Sequence, residues 1–450
     1  MTRMMKDSGV EWIGEIPENW KLRKMKRCIA SRVSGDWGDE KKNNENDIIC
    51  LRIADFDYKT FSFKDLPNEE YTVRNYNKEV IKKLLLEHDD ILIEKSGGGD
   101  KTPVGRCVVF NKKINALYAN FMDRIRVTAD VCPIYFSYIL NCFYLNRYTL
   151  NYIKQTIGIQ NLDITSMLAC EYAPFQSISE QQKIAEFLDE KCGAIDEIIR
   201  KTEQSIEEYK KLKQSVITKA VTKGIRPNRP MQDSNIEWIG EIPTDWEIKK
   251  FRNILKERTE KNVPIKSTER LSLSIDLGVT LYAEKTTNLD RFKDDFEQYK
   301  IAHEGDLVMN SMNMIIGAVG VSKYYGCVSP VYYTWYDETP NHTTAKYCEY
   351  LLRCKTIKKV LFALGRGIYA IERGDDRVNT CRLKISRDDL KNLKLPLPSL
   401  DEQAEIINYL DEKCAEIDIL VEKKQQFLAE MANYKKSLIY EYVTGKKEVA

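Results

Sequence analysis

Residues 180–196 read EQQKIAEFLDEKCGAID, and residues 402–418 read EQAEIINYLDEKCAEID, the same pattern displaced by 222 positions. In the first copy Leu188, Cys192, Ile195, Ile199, Thr202, Ile206 and Tyr209 follow in alternating steps of four and three, which sets them on one stripe of an α-helix. The second copy supplies Leu410, Cys414, Ile417, Val421, Lys424, Leu428 and Met431. Both stripes are apolar at the same six positions and polar at the same one, Thr202 or Lys424. A polar seam residue can fix register at a cost in stability, although a tolerated exposed position is the simpler reading. Gly193 stands where the second copy has Ala415, and glycine inside a helix costs about 1 kcal/mol against alanine. It predicts a close backbone approach or a bend.

From Glu180 to Thr222 the first helix would run about 65 Å, at 1.5 Å per residue. Its remaining surface is charged, so the stripe must be buried on a partner. A homodimeric coiled coil would achieve that. Antiparallel pairing of the two helices within one chain achieves it with a pseudo-two-fold, and is expected because each helix follows a globule.

The same duplication surrounds the helices. DSGVEWIGEIPENW (residues 7–20) returns as DSNIEWIGEIPTDW (residues 233–246), with ten identities in fourteen positions at an offset of 226. Between these flanks the register drifts: DDILIE, ending at Glu94, matches GDLVMN, ending at Asn310, with Asp90 and Asp306 offset by 216. Residues 20–175 and 246–398 mix short β-branched or aromatic runs (91–93, 107–110, 331–336) with helical stretches (133–152, 344–364), so each reads as an α+β globule. Proline-bearing segments at 172–174, 395–400 and 228–230 break the elements apart. The expected plan is 1–177, opening segment and first globule; 178–226, first long helix; 227–398, second globule; 399–450, second long helix. Trp12, Trp20, Trp238 and Trp246 read as packing residues that pin the segment before each globule.

Composition narrows the function. Of 450 residues 43% are hydrophobic, enough for real cores, and the longest uncharged apolar run, 315–321, is too short to span a bilayer. An unexported, cytoplasmic protein without a membrane span is expected. Twelve cysteines without CxxC pairs argue for reduced thiols, and His88, His303 and His342 lack metal-ligand spacing. A net charge of +2 excludes a polycation but not a local basic face. Residues 21–27, KLRKMKR, carry five cations, and Lys249, Lys250, Arg252, Lys256 and Arg258 occupy the corresponding place in the second half. A solvated helix face is the plainer alternative.

A search for catalytic motifs fails. SGGGDKTPVG (96–105) lacks the glycine directly before Lys-Thr that a phosphate loop needs, and IGAVGVSKYYG (316–326) lacks dinucleotide spacing. HExxH, an Asn/Asp-Pro-Pro motif and a nucleophile with histidine partners are missing, and Asp89–Asp90 and Asp375–Asp376 read as turn residues. No catalytic residue, metal ligand or cofactor is assigned, and the weight moves to binding. A two-globule adaptor for proteins or sugars would fit the same plan.

With these motifs in order, the chain resembles the specificity subunits of type I restriction-modification enzymes over nearly its whole length. GEIPENW (14–20), GEIPTDW (240–246) and LPLPSLDEQ (395–403) carry the likeness, while the first exit, YAPFQSISEQ (172–181), departs from the proline-rich form. The resemblance implies two target-recognition domains that each read one half of a gapped site in double-stranded DNA, with the helices setting the gap. It also implies two modification subunits as partners, which bind S-adenosylmethionine and methylate adenine, and separate restriction subunits that translocate and cut. Base contacts are expected from polar loop residues reaching major-groove edges. Candidates in the first globule are Lys21, Arg23, Lys24, Ser96, Lys101, Gln155, Gln160 and Asn161; in the second, Lys249, Lys250, Asn310, Asn313, Arg366, Tyr369, Arg373 and Arg377.

Overall fold

The structure, a computed structural model, describes the chain except residues 1–2, 101, 157, 276, 286–294, 369–371, 374–376, 379–381 and 450. Its principal elements are, in chain order, β1 (Ile29–Ser34), β2 (Ile91–Glu94), β3 (Cys107–Val109), β4 (Met122–Val127), α1 (Pro133–Leu145), α2 (Ile178–Lys223), β5 (Lys256–Arg258), β6 (Leu307–Asn310), β7 (Val319–Val321), β8 (Tyr332–Tyr336), α3 (Thr343–Arg353) and α4 (Leu400–Val443). The chain forms two compact units: Met1–Gln204 with Lys424–Ala450, and Ser205–Lys423. Each unit therefore holds one globule together with a segment of both long helices.

In the first unit an antiparallel sheet runs β3-β2-β4-β1. Strand β2 is buried at every residue, which is why Ile91–Ile93 reads as a continuous apolar run and not as an alternation. Helix α1 packs Tyr135, Phe136, Ile139 and Phe143 into the same core as Ile91, Ile93 and Cys107. Asn141 of α1 fastens it to β3: its Oδ1 accepts the Cys107 N–H at 3.2 Å and its Nδ2 donates to the Cys107 carbonyl at 3.1 Å. The globule is closed by Lys21–Lys24 pairing antiparallel with Tyr172–Phe175.

The second unit repeats this plan with the sheet β7-β6-β8-β5, also antiparallel. Helix α3 places Tyr347, Leu351 and Leu352 against Leu307 and Met309. Here Glu247–Lys250 pairs with Lys394–Leu397 to close the globule. Pro174 and Pro396 thus sit inside two-stranded ladders, where an outer edge needs no donor. The helical stretches are shorter than the sequence suggests. Arg147, at φ 66°, stops the first after Leu145, and extended Cys354 separates α3 from a further helix at Lys355–Leu364.

Both long helices start on a serine. The Glu180 N–H reaches Ser177 Oγ at 3.3 Å and the Glu402 N–H reaches Ser399 Oγ at 3.4 Å, which occupies N–H groups that the first turn leaves free. Within the first unit, Leu188, Cys192 and Ile195 near the start of α2 share a core with Leu438, Ile439 and Val443 at the end of α4. Within the second, Ile217, Ala220 and Val221 at the end of α2 share a core with Ile406, Ile407, Leu410 and Cys414 at the start of α4. In each unit the helices therefore pair antiparallel, start to end. Of the stripe residues, Leu188, Cys192, Ile195, Ile206, Leu410, Cys414 and Ile417 are buried, and Ile199, Thr202, Tyr209, Val421, Lys424, Leu428 and Met431 are half-buried.

The polar seam contacts each join a lysine one step beyond the stripe read from sequence to an aspartate beside a stripe residue. Lys435 of α4 donates to both Asp196 oxygens of α2 at 2.6 and 2.7 Å, and to the Lys59 carbonyl of the first globule at 3.0 Å. In the second unit Lys213 of α2 binds Asp418 of α4 at 2.6 Å, the same residue pair displaced by 222. Thr202 turns its hydroxyl back to the Ile198 carbonyl of its own helix at 2.8 Å, so it does not bridge the pair. Gly193 corrects another expectation. It is exposed and an added Cβ would meet nothing within 4 Å, so no close approach accounts for it.

Candidate nucleic-acid interface

Each globule is clamped to both helix segments of its unit through equivalent polar contacts. Trp20 Nε1 donates to Glu180 at 3.1 Å and Trp246 Nε1 to Glu402 at 3.0 Å, which explains why the GEIPxxW and EQ motifs recur together. Arg3 and Arg229 pair with the same two glutamates. At the opposite helix end, the Tyr135 hydroxyl donates to the Val443 carbonyl and the Tyr347 hydroxyl to the Val221 carbonyl, both at 3.0 Å. Tyr138 and Tyr350 add bonds to Asp189 and Asp411.

In the first unit several candidates converge on a small sheet in which Ser96–Gly97 pairs with Ile159–Leu162, itself paired with Ile153–Thr156. Ser96 Oγ donates to Asn161 Oδ1 at 2.6 Å, and buried Gln160 accepts the Val104 N–H at 3.4 Å, so both ends of the glycine-rich loop are tied to this hairpin. Gly158, at φ 79°, makes the tip, and Gln155 and Ile159 are exposed beside it. Lys101 lies outside the described residues.

Beneath that loop is a pair that sequence reasoning missed. Glu94 and Arg106, which flank the loop, form a bidentate ion pair at 2.9 Å on both arms, with Tyr58 stacked 3.5 Å from the guanidinium. Burial pushes the Glu94 carboxyl up from its usual value, and Arg106 opposes the shift. The available signal was a charge at each end of a glycine-rich loop between two apolar strands. In the second globule Asn310 takes the place of Glu94, and its side chain accepts the Met312 N–H at 3.0 Å.

The basic candidates differ between the units. Lys21 is exposed, whereas Arg23 is held by Asp130 at 2.8 Å with its guanidinium 3.4 Å from the Phe175 ring, and Lys24 donates to the Ala169 carbonyl at 3.2 Å. In the second unit Lys249 pairs with Glu247 at 2.7 Å, and Lys250 lies beside it on the opening strand. Asn313 is exposed and its backbone closes the turn after β6. Exposed Arg366 lies 3.6 Å from Asp389 and begins a hairpin in which Arg366–Ile368 pairs with Arg382–Lys384 and Arg373 stands opposite Arg377. Tyr369 lies outside the described residues. This hairpin and the Ile153–Leu162 hairpin occupy the same place in the chain plan, before the last short helix and the closing strand.

Among the described residues no cluster suits a metal ion, and no helix is long and apolar enough to cross a membrane. No family model matches the chain. It is 24% identical to the putative type I restriction enzyme MjaX specificity subunit of Methanocaldococcus jannaschii, with 97% of this chain and 96% of that protein aligned. To the StySPI specificity subunit of Salmonella potsdam it is 21% identical, over 96% of this chain and 90% of the relative. Among solved structures, a chain from work on complex assembly and conformational transition of the type I R-M system matches with a TM-score of 0.65 at 13% identity, over 96% of this chain and 99% of that one. The chain is thus similar, over nearly its whole length, to specificity subunits of type I restriction enzymes. The HsdS subunit from Thermoanaerobacter tengcongensis has the same fold at a TM-score of 0.50 and 12% identity, over 96% and 98% of the two chains. In this specificity-subunit fold the repeated plan is the frame, and the strands that precede the last short helix fall at Ile153–Thr156 and Ile159–Leu162 in one half and at Arg366–Ile368 and Arg382–Lys384 in the other.

Proposed function

We propose that this chain is a non-catalytic DNA-reading subunit in which each globule recognises one half of a bipartite, asymmetric duplex site. The observation that carries the reading is the pair of equivalent clamps, Trp20–Glu180 with Tyr135–Val443 and Trp246–Glu402 with Tyr347–Val221, which seat two globules of one plan on two helices. Two readers on a stiff support give a split site, because helices fix a distance that a flexible linker would not. Ser96, Lys101, Gln155, Gln160 and Asn161 on the first globule, and Asn310, Asn313, Arg366, Tyr369, Arg373 and Arg377 on the second, supply the reading elements. The basic segments at Lys21, Arg23, Lys24, Lys249 and Lys250 serve the backbone. Two modification subunits that bind S-adenosylmethionine dock on this support and methylate adenine, and restriction subunits join that assembly in the cytoplasm.

The test is a map of methylated adenines in cells with and without the gene. The expected result is one gapped motif that disappears with the gene. Exchanging the first globule for that of a relative changes only one half of the motif, and removing seven residues from each long helix changes only the gap. Loss of all recognition in a still-folded exchange complex would overturn the modular reading.

A further inference from the structure

The second unit carries a cationic hollow. An open hollow of about 490 Å³ is lined by Lys249, Lys250, Arg252 and Lys394, with Asn235 and Asn253 at its edge and no carboxylate among its lining residues. Lys249 is partly neutralised by Glu247 at 2.7 Å. No carboxylate among the described residues pairs with Lys250, Arg252 or Lys394. Lys250 also stands directly opposite Lys394 in the antiparallel ladder that closes the globule, an arrangement in which like charges repel. At the same ladder position in the first unit Lys24 faces Tyr172, and its ammonium sits 5.2 Å from that ring. Arg23, at the position of Lys249, is already consumed by Asp130. Arg23 and Lys24 of the first half are thus engaged internally, whereas Lys250, Arg252 and Lys394 of the second line a concave surface open to solvent.

We infer that this hollow holds a phosphate group, and that the phosphate belongs to the DNA backbone beside the half-site read by the second globule. A phosphate diester relieves the Lys250–Lys394 repulsion and accepts hydrogen bonds from ammonium, guanidinium and side-chain amide donors. Such a contact fixes the position of the duplex and carries no base information. The inference rests on the DNA-reading function proposed above.

The experiment uses the full complex with its modification subunits and measures affinity for target and scrambled duplexes across a salt series. In Lys250→Ala/Lys394→Ala the log–log salt slope falls by about 1.8, two contacts at about 0.9 each, so the affinity lost between 50 and 200 mM salt shrinks by about twelvefold. The preference for target over scrambled duplex stays as it was. The Lys250→Gln/Lys394→Gln variant repeats the measurement with side-chain volume kept, and equal melting midpoints show that the fold is intact. If the unmodified complex shows no preference for any duplex, the DNA-reading function fails whatever the slope does. If it discriminates and the double variant keeps the original slope, the hollow is not a backbone contact. Titration of inorganic phosphate into the chain distinguishes the other source: saturable binding lost in the double variant, with the DNA slope unmoved, assigns the hollow to free phosphate and overturns the inference.

Discussion

The seam between the long helices contains the same charge pair twice, in two different environments, and this makes its energetic weight measurable. In the first unit the Lys435 and Asp196 side chains are 8% and 15% exposed; in the second, Lys213 and Asp418 are 28% and 60% exposed. Breaking a buried pair by removing one partner costs about 3–5 kcal/mol, because the other charge stays desolvated, whereas an exposed pair contributes about 0–1 kcal/mol. Asp196→Asn removes the counter-charge of the buried Lys435 ammonium and leaves it only neutral neighbours such as the Lys59 carbonyl, and a loss of about 3 kcal/mol is expected. Asp418→Asn is expected to cost under about 1 kcal/mol. Replacing both members in the first unit, with Asp196→Leu/Lys435→Met, removes the desolvation cost with the attraction and recovers most of the loss. Denaturant midpoints of the four chains, combined with hydrogen exchange in α2 and α4, read these differences locally. Equal losses for Asp196→Asn and Asp418→Asn would refute the argument that burial sets the weight of the pair. So would a double replacement as damaging as the single one.

Other outcomes follow from single contacts. Gly193→Ala places a methyl in open space on an exposed helix face, so it stabilises the chain by about 1 kcal/mol, checked by thermal and denaturant midpoints. Trp20→Phe and Trp246→Phe each remove one indole hydrogen bond to a buried or half-buried glutamate, and the two losses match at about 1–2 kcal/mol by the same measurement. Asp163 is held at about 2 by Lys154 and by the Ser166 N–H at the start of the Ile164–Cys170 helix. A carboxyl lowered on folding contributes stability that is present above about pH 3.9 and lost as pH falls toward 2. A carboxyl-detected NMR titration should place its midpoint near that lower value, and Lys154→Ala should raise it.

The long helices, their antiparallel pairing within each unit and the duplicated globules were legible because they rest on periodicity and repetition, which survive in one dimension. Leu188, Cys192 and Ile195 announce a buried stripe by spacing alone. The charge pairs beyond the stripe were not legible in the same way. Lys435 lies 239 residues from Asp196, and a lysine at the next seam position reads as the end of the seam. The repetition did hold the clue, since Lys213 and Asp196 displaced by 222 become Lys435 and Asp418. Gly193 misled because an apparent helix breaker suggests a reason, and here the surroundings supply none. The candidate contact residues stayed coarse for a physical reason: in Gln160 and Asn161 the polar atoms are turned to the glycine-rich loop, and alternation along a strand does not reveal which amide is used internally.

The clamps also explain how one frame can carry two globules that have drifted apart. The offset between equivalent residues is 226 at Trp20 and Trp246, 216 at Asp90 and Asp306, 212 at Tyr135 and Tyr347, and 222 at Glu180 and Glu402. Insertions and deletions are therefore confined between the clamp residues. Much of each clamp ends on backbone: Tyr135 and Tyr347 donate to carbonyls of the opposite helix end, and Lys446 and Tyr440 donate to the Ile13 carbonyl. A carbonyl acceptor is indifferent to the side chain that carries it, so surrounding residues can change without breaking the joint. A globule that brings its own pair of tyrosines on its central helix and a tryptophan before its opening strand meets the same acceptors. Exchange of one globule for another therefore needs only a handful of retained side chains, and the rest of the globule is free to vary.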